Sequence, residues 1–364
     1  MKQSKSAPLP PATHEEQAFF VAANGYSGFR SRYDTVFASL SYSHVYVIKG
    51  GPGTGKSRAM RETARAVEER GGQAQYIYCS SDPDSLDGVI LNHGEKKIAL
   101  LDGTAPHTRC TPYPGVIDEI INLGEFWNSE CLGEQHDEIV RLSQEKNNRY
   151  HMAYRFLAAA GTIDQAANEL LAYCINREKL QKAVIRTLHE LTPSASPKET
   201  IQYWNACSMK GKVWFSPIPS NTRIVQVDGY LGSGRYYLNA LRDALRQTKR
   251  FSYLLIPSCY TDERVEGIYF PDDNLLFIEE APTEAEKTIN MRRFLKQDAT
   301  SKLRPKIKQL LALHESMTDT AVSYLKEAGV YHFALEQIYG AAMDFAAKER
   351  YVSALIEKII KQLF

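Results

Sequence analysis

An excess of charge is the first thing this chain lacks: 44 Lys and Arg stand against 43 Asp and Glu in 364 residues, a formal net charge of +1. Such a balance supplies no basic stripe for nucleic acid and no cationic face for an anionic membrane, so neither is expected as a partner. The chain also lacks a long hydrophobic run. No window approaches the roughly 18 consecutive apolar residues that read as a membrane-spanning helix. The six cysteines (Cys79, Cys110, Cys131, Cys174, Cys207 and Cys259) form no CxxC pair and have no His-rich neighbours. That spacing argues against a zinc site and for reduced thiols in a cytoplasmic protein. Residues 1–16 are rich in Ser, Pro, Ala and Lys with no apolar stretch, and read as a flexible tail. What remains is ordinary: 43% hydrophobic and 24% charged residues, in a chain long enough for two domains with real cores.

The stretch Gly50-Gly51-Pro52-Gly53-Thr54-Gly55-Lys56-Ser57 is a complete phosphate-binding pattern. Its flanks fit. Val45 to Ile48 is a β-branched apolar run that reads as a buried parallel strand, and Arg58 to Arg70 is a helix-forming segment closed by Gly71-Gly72. In such a loop the glycines let successive amides turn toward a β-phosphate and the helix N-terminus adds partial positive charge. Lys56 reaches the β- and γ-phosphates, and the Ser57 hydroxyl ligates Mg2+. Residues Gly50 to Arg58 are therefore the expected nucleotide contacts. No Asn-Lys-x-Asp motif selects guanine, which leaves ATP as the default nucleotide.

Part of this pattern occurs twice. Arg223 to Tyr237 repeats the strand and loop of His44 to Arg58, with Gly50, Gly53 and Gly55 falling on Gly229, Gly232 and Gly234 at a displacement of 179. Asp87-Gly88 falls on Glu266-Gly267 at the same displacement, and Ala153 to Gly161 parallels Ala321 to Gly329 at a displacement of 168. A tandem duplication is expected, with a first unit over residues 17–195 and a second over 196–364, joined near Thr192 to Pro197. Each unit is expected to have an α/β part, to about residue 125 in the first and 283 in the second. A helical part follows, 126–191 and 284–364. In the first, Gly161 is expected to stop one helix and Thr162-Ile163-Asp164-Gln165 to cap the next, making a hairpin. The Glu336 to Phe364 stretch is read as a helix that packs, binds a partner, or both. The fold class expected is α/β, with a parallel sheet of the P-loop NTPase kind in two tandem pseudo-repeats, each followed by a helical hairpin region.

The second loop differs from the first in its chemistry. Arg235 and Tyr236 stand where Lys56 and Ser57 do, so the second loop lacks the compact ammonium and small hydroxyl that hold a Mg-triphosphate. Three roles stay open for it: a fold-determining turn, a regulatory phosphate site, or a source of an arginine (Arg235 or Arg264) facing the first site.

For the metal side of the first site, Ile98 to Asp102 is a hydrophobic strand ending in an acid, which makes Asp102 the candidate Mg2+ partner of Ser57. The residue after it is Gly103, not a water-activating glutamate, which points away from fast hydrolysis. His107 either contacts phosphate, acts as acid or base, or is a surface residue. The loop Ser80 to Gly88 would lie at the carboxyl edge of a parallel sheet, where an acceptor would sit. Its Asp82 and Asp84 either accept a proton from an attacking hydroxyl or simply form an Asx/Pro turn. The candidate catalytic set is thus Lys56, Asp102, Asp82, Asp84 and His107.

Taken together, Gly50 to Ser57, Ser81 to Gly88 and Leu101 to His107, with the repeated loop half, resemble an uncharacterised bacterial family of tandem P-loop ATP-binding proteins. That resemblance spans nearly the whole chain after the tail and implies nucleotide binding without naming a substrate; the second loop departs from the better-preserved one that the family usually has. The expected function is a Mg-ATP-binding NTPase with one intact site, carrying out slow hydrolysis or phosphoryl transfer. Two alternatives stand beside it: a small-molecule kinase whose acceptor meets the Ser80 to Gly88 loop, and an ATP-gated regulatory protein that acts through a protein partner.

Overall fold

The structure, a computed structural model, describes residues 17–106, 110–215 and 217–364. His107 lies outside these residues. The first unit begins with β1 (Gln17–Phe20), a hairpin of β2 (Ala22–Gly25) and β3 (Gly28–Ser31), and a one-turn helix α1 (Tyr33–Val36). It continues through β4 (His44–Lys49), α2 (Lys56–Glu68), β5 (Gln73–Tyr78), β6 (Leu86–His93), β7 (Lys96–Asp102) and β8 (Asp118–Asn122). The helices α3 (Ser129–Glu134), α4 (His136–Cys174) and α5 (Arg177–Glu190) close it. In β4 the middle four residues are buried, as a fully covered central strand of Val, Tyr and Ile requires. In α2 the buried Ala59, Met60, Thr63, Ala64 and Val67 fall three and four apart, which is one helical face.

The first sheet has the order β1-β5-β6-β7-β4-β8. It is mixed, which corrects the parallel sheet expected from sequence: β6 runs antiparallel to both β5 and β7, while β1-β5, β7-β4 and β4-β8 are parallel. The cause is local. His93 pairs with Lys96 across a two-residue turn, Gly94-Glu95, in which Gly94 has φ of +57°, and so short a connection can only return the chain antiparallel. Two antiparallel steps restore the original direction, so β5, β7 and β4 still end at one edge.

The second unit runs β9 (Glu199–Ile201), β10 (Asn205–Ser208), β11 (Gly211–Trp214), β12 (Arg223–Val227), α6 (Gly234–Thr248), β13 (Tyr253–Pro257), β14 (Val265–Phe270), β15 (Leu275–Ile278) and β16 (Lys287–Ile289). The helices α7 (Gln297–Ala341) and α8 (Phe345–Leu363) follow. Its sheet order, β9-β13-β14-β15-β12-β16, matches the first strand for strand, with the same parallel and antiparallel pairs. Even the register shift recurs, at Ile77/Tyr78 and Ile256/Pro257, 179 positions apart.

The helical parts depart from the expected hairpins. Gly161 stops nothing: α4 runs unbroken through 39 residues. A Cβ at Gly161 would lie 2.6 Å from Cγ of Tyr26, so the glycine serves close approach of the β2-β3 hairpin. Its counterpart Gly329, inside α7, likewise faces Met209 of the β10-β11 hairpin. The long partner of α4 is α7, antiparallel to it: Arg149 pairs with Glu327 and Phe156 stacks on Tyr324 at 5.5 Å. Phe156 and Tyr324 are equivalent residues, 168 apart, as are the ends of the two bridges Trp127-Met343 and Ile175-Leu295 when exchanged between units. Equivalent residues meeting one another is the mark of a two-fold relation, here inside one chain.

A 39-residue helix is about 58 Å long at about 1.5 Å per residue, and it carries α5 away from its own sheet. Leu180, Val184 and Leu191 accordingly join the core formed by Tyr237, Leu238 and Leu241 of the second unit. Reciprocally, Val352, Leu355, Ile359 and Leu363 of α8 join Tyr46, Ile48, Met60 and Val67 of the first. Glu336 to Phe364 is therefore two elements, the end of α7 and all of α8, separated at Ala342 to Asp344. Among the described residues no helix is long and apolar enough to cross a membrane.

Candidate functional site

The Gly50 to Ser57 loop leaves the carboxyl end of β4 and enters the N-terminus of α2. Three of its glycines hold a positive φ, Gly50 at +152° among them. Gly53 has φ of +71°, and a Cβ there would lie 2.4 Å from the Glu336 carbonyl oxygen; Gly55, the residue before the helix, has φ of +79°. The Thr54 hydroxyl donates to Gly51 O at 3.0 Å and ties the turn. The Lys56 ammonium curls back over the loop, donating to Gly50 O at 2.9 Å and Gly51 O at 2.8 Å.

Asp102 reaches this loop because β7 lies beside β4 with Ile48 opposite Asp102. Its Oδ2 is 3.5 Å from Lys56 Nζ, with both side chains largely buried. The other oxygen, Oδ1, accepts from Thr104 N–H at 2.8 Å and from the Thr104 hydroxyl, which fixes the carboxylate. Ser57 Oγ accepts from Leu86 N–H at 2.9 Å, pinning the end of the Ser80 to Gly88 loop to the start of α2. Lys56, Ser57 and Asp102 thus gather at one sheet edge. Arg58 points outward, paired with Glu62 at 2.7 Å and with Glu349 at 3.6 Å.

The two acids of the adjacent loop separate. Asp84 forms an ion pair with Lys210 of the β10-β11 turn, and its carbonyl accepts from Arg61. Asp82 is the more enclosed: burial pushes its carboxyl pKa up, against the Asp84 N–H bond and the charges of Lys210 and His332. A carboxyl with a raised pKa is the better placed of the two to exchange a proton.

Three contributors to the site come from residues far away in sequence. Gly51 packs against Trp127 and Tyr339, and the Trp127 indole N–H is buried with no hydrogen-bond partner among the described residues. Glu336 of α7 has its carbonyl oxygen 2.4 Å from where a Gly53 Cβ would be, and its carboxyl pKa is lowered, chiefly by the neighbouring His332 and to a lesser degree by the Gly53 amide and the charge of Lys56, against burial. Lys348 of α8 is 1% exposed, and its ammonium stands 3.1 Å from where a Gly55 Cβ would be. Among the described residues no carboxylate pairs with it, and burial lowers its pKa. The end of α7 and the start of α8 bring Glu336, Tyr339 and Lys348 to it.

The second loop is filled. Arg235, the counterpart of Lys56, makes a bidentate pair with Asp164 of α4 at 2.7 and 2.9 Å. Burial alone would raise the Asp164 pKa, but the bonds and charge of Arg235 outweigh it and hold it low. Tyr236, the counterpart of Ser57, donates to Asn168 O at 2.8 Å. Glu279 directly follows β15 much as Asp102 ends β7, and it pairs with Arg264. Neither arginine faces the first loop, so neither is available as a charge donated to it.

Comparison with protein-family models, with curated proteins and with solved structures finds no match. The reading of the site rests on its geometry.

Proposed function

We propose that the first loop binds the phosphates of a nucleoside triphosphate, ATP by default, with Mg2+, and that the chain is a P-loop NTPase-type protein with one working site. The observation that carries this is the meeting of Lys56 and Asp102, 3.5 Å apart, at the carboxyl ends of adjacent parallel strands and the N-terminus of α2. A helix N-terminus favours an anion, and an ammonium beside a fixed carboxylate suits a phosphate with its cation. Bound phosphate would draw Lys56 from the Gly50 and Gly51 carbonyls. One hydroxyl and one carboxylate, Ser57 and Asp102, are a donor set that suits Mg2+, which keeps most of its water and takes its other ligands from the phosphates. Lys348 adds a second positive charge beside Gly55.

Gly103 provides no carboxylate to orient water, so turnover is slow. Of the alternatives, an ATP-gated interaction protein is favoured by one observation: the end of α7 rests directly on Gly53, so the loop and the helical pair are in contact. A kinase reading now rests on Asp82, since Asp84 is committed to Lys210. Calorimetric titration of Mg-ATP into the wild type and K56A tests the assignment. The expected result is binding in the wild type and a loss of at least tenfold in K56A; equal affinity sinks it.

A further inference from the structure

Lys348 is 1% exposed, and among the described residues its ammonium makes no hydrogen bond and no ion pair. The Phe345 ring, with its centroid 6.0 Å from Nζ, is at the outer limit of a cation–π contact. The acids whose charge reaches Lys348 are taken by another cation: Glu62 and Glu349 lie 2.7 and 3.6 Å from the Arg58 guanidinium. Asp344 is occupied in capping α8, where it accepts from Ala347 N–H at 2.9 Å. The surroundings have the same sign as the lysine. Nζ lies 3.1 Å from where a Gly55 Cβ would be, at the N-terminus of α2, which has no capping side chain and no acid in its first turn. Lys348 itself stands in the first turn of α8. Both helix ends are partially positive, and an ammonium buried beside them is costly unless an anion joins it.

Packing does not require a lysine at this position, as the other repeat shows. Asn176 and Asp344 cap α5 and α8 at equivalent positions, 168 apart, so Lys348 corresponds to Leu180. That leucine is 5% exposed, in the core of Tyr237, Leu238 and Leu241. The loop that keeps Lys56 and Ser57 is met by a lysine; the loop with Arg235 and Tyr236 has a leucine in the corresponding place.

We propose that Lys348 is a phosphate-binding residue supplied to the first loop by the second repeat, and that it holds the inner phosphates of the nucleotide. This rests on the reading of the loop as a nucleotide site. In a loop of this pattern the backbone amides cradle the α- and β-phosphates, while the loop lysine reaches the β- and γ-phosphates. Gly55 belongs to that cradle, so a cation beside it meets the part of the ligand that ATP and ADP share. The phosphate oxygens give the ammonium charge-assisted hydrogen bonds and the counter-charge that the protein does not provide. The working site is composite: the first repeat supplies the loop and Asp102, and the second, whose own loop is filled, supplies a cation through α8.

The test is titration of Mg-ATP and of Mg-ADP into full-length wild type, K348M and K56A by calorimetry, with urea denaturation of the same proteins. Methionine keeps much of the length and removes the charge. Losing a charge-assisted contact is expected to weaken both nucleotides in K348M by about tenfold or more, and by the same factor, while the urea midpoint rises because a buried charge is gone. Opposite signs for binding and stability mark a phosphate ligand; a residue that only packs does not produce them. Unchanged affinity in K348M, with K56A still impaired, overturns the phosphate role and leaves the nucleotide site standing. A loss for ATP alone overturns the assignment to the inner phosphates. Weaker binding with a lower midpoint assigns Lys348 to the fold and overturns the proposal. No binding in the wild type overturns both readings. Should K348M fail to fold, K348Q decides by its affinity for the two nucleotides, and unchanged affinity overturns the proposal.

Discussion

The pair Arg235-Asp164 makes the most direct claim about energetics, because it fills the second loop with a buried ion pair. Consider Asp164→Ala. Both side chains are 9% exposed and two hydrogen bonds of 2.7 and 2.9 Å join them. Arg235 Nε has no partner among the described residues, so the guanidinium has little to fall back on when the carboxylate goes. Stranding one member of a buried pair costs about 3–5 kcal/mol, whereas replacing both by apolar residues of similar volume is about neutral. Asp164→Ala should therefore lower stability by about 3–5 kcal/mol, and the double variant D164L/R235M should recover most of it. Urea denaturation followed by far-ultraviolet circular dichroism measures both, and the cycle gives their interaction energy. The pH dependence has a definite sign. Arg235 holds the Asp164 pKa below its ordinary 3.8, so the contribution is complete above that value and is lost as pH falls through the lower folded value. The gap between wild type and D164A should close in strong acid. A cost under about 1 kcal/mol at neutral pH, set against the about 3–5 expected for a buried pair, would show the loop is held by its glycine turns and not by the ion pair.

Two further outcomes follow from close contacts. Gly161→Ala should destabilise by about 1 kcal/mol net: helix propensity gains about 1, but overpacking costs about 1–3. Tyr26 cannot retreat, since it bonds His314 at 2.8 Å and stacks on Tyr260; a higher urea midpoint in G161A would disprove the close-approach role. Lys348→Met should raise stability by about 1–3 kcal/mol by removing a buried, unpaired ammonium, yet weaken Mg-ATP binding in calorimetry. Unchanged binding would assign Lys348 to packing alone. Since burial lowers the Lys348 pKa from 10.5, wild-type stability should gain as pH rises from the lowered value toward 10.5, and K348M should lack that gain in denaturation curves.

Much of the site was legible because its code is local. Strand β4, the glycine turn and helix α2 follow one another within about two dozen residues, and each is decided by neighbours in the chain: buried β-branched residues, positive φ at Gly53 and Gly55, an amphipathic face on α2. Asp102 could be read too, from an apolar run ending in an acid. The repeat displacement of 179 anticipated a second sheet, and that sheet has the same strand order. One local signal went unread: Gly94-Glu95 between two apolar runs is a hairpin turn, and it makes the sheets mixed.

What the sequence by itself determined is therefore the loop at Gly50 to Ser57, its acidic neighbour and the twofold plan. What only the tertiary structure decided is which repeat covers which loop. Glu336 lies 283 positions from Gly53 and Lys348 lies 293 from Gly55, and nothing in either segment announces the other. Their meeting depends on two long helices lying antiparallel and delivering their ends to the opposite sheets. For the same reason Gly161 reads as a helix stop in sequence and proves to be a contact: a glycine's local freedom is visible in the chain, but the Tyr26 ring that requires it arrives only on folding.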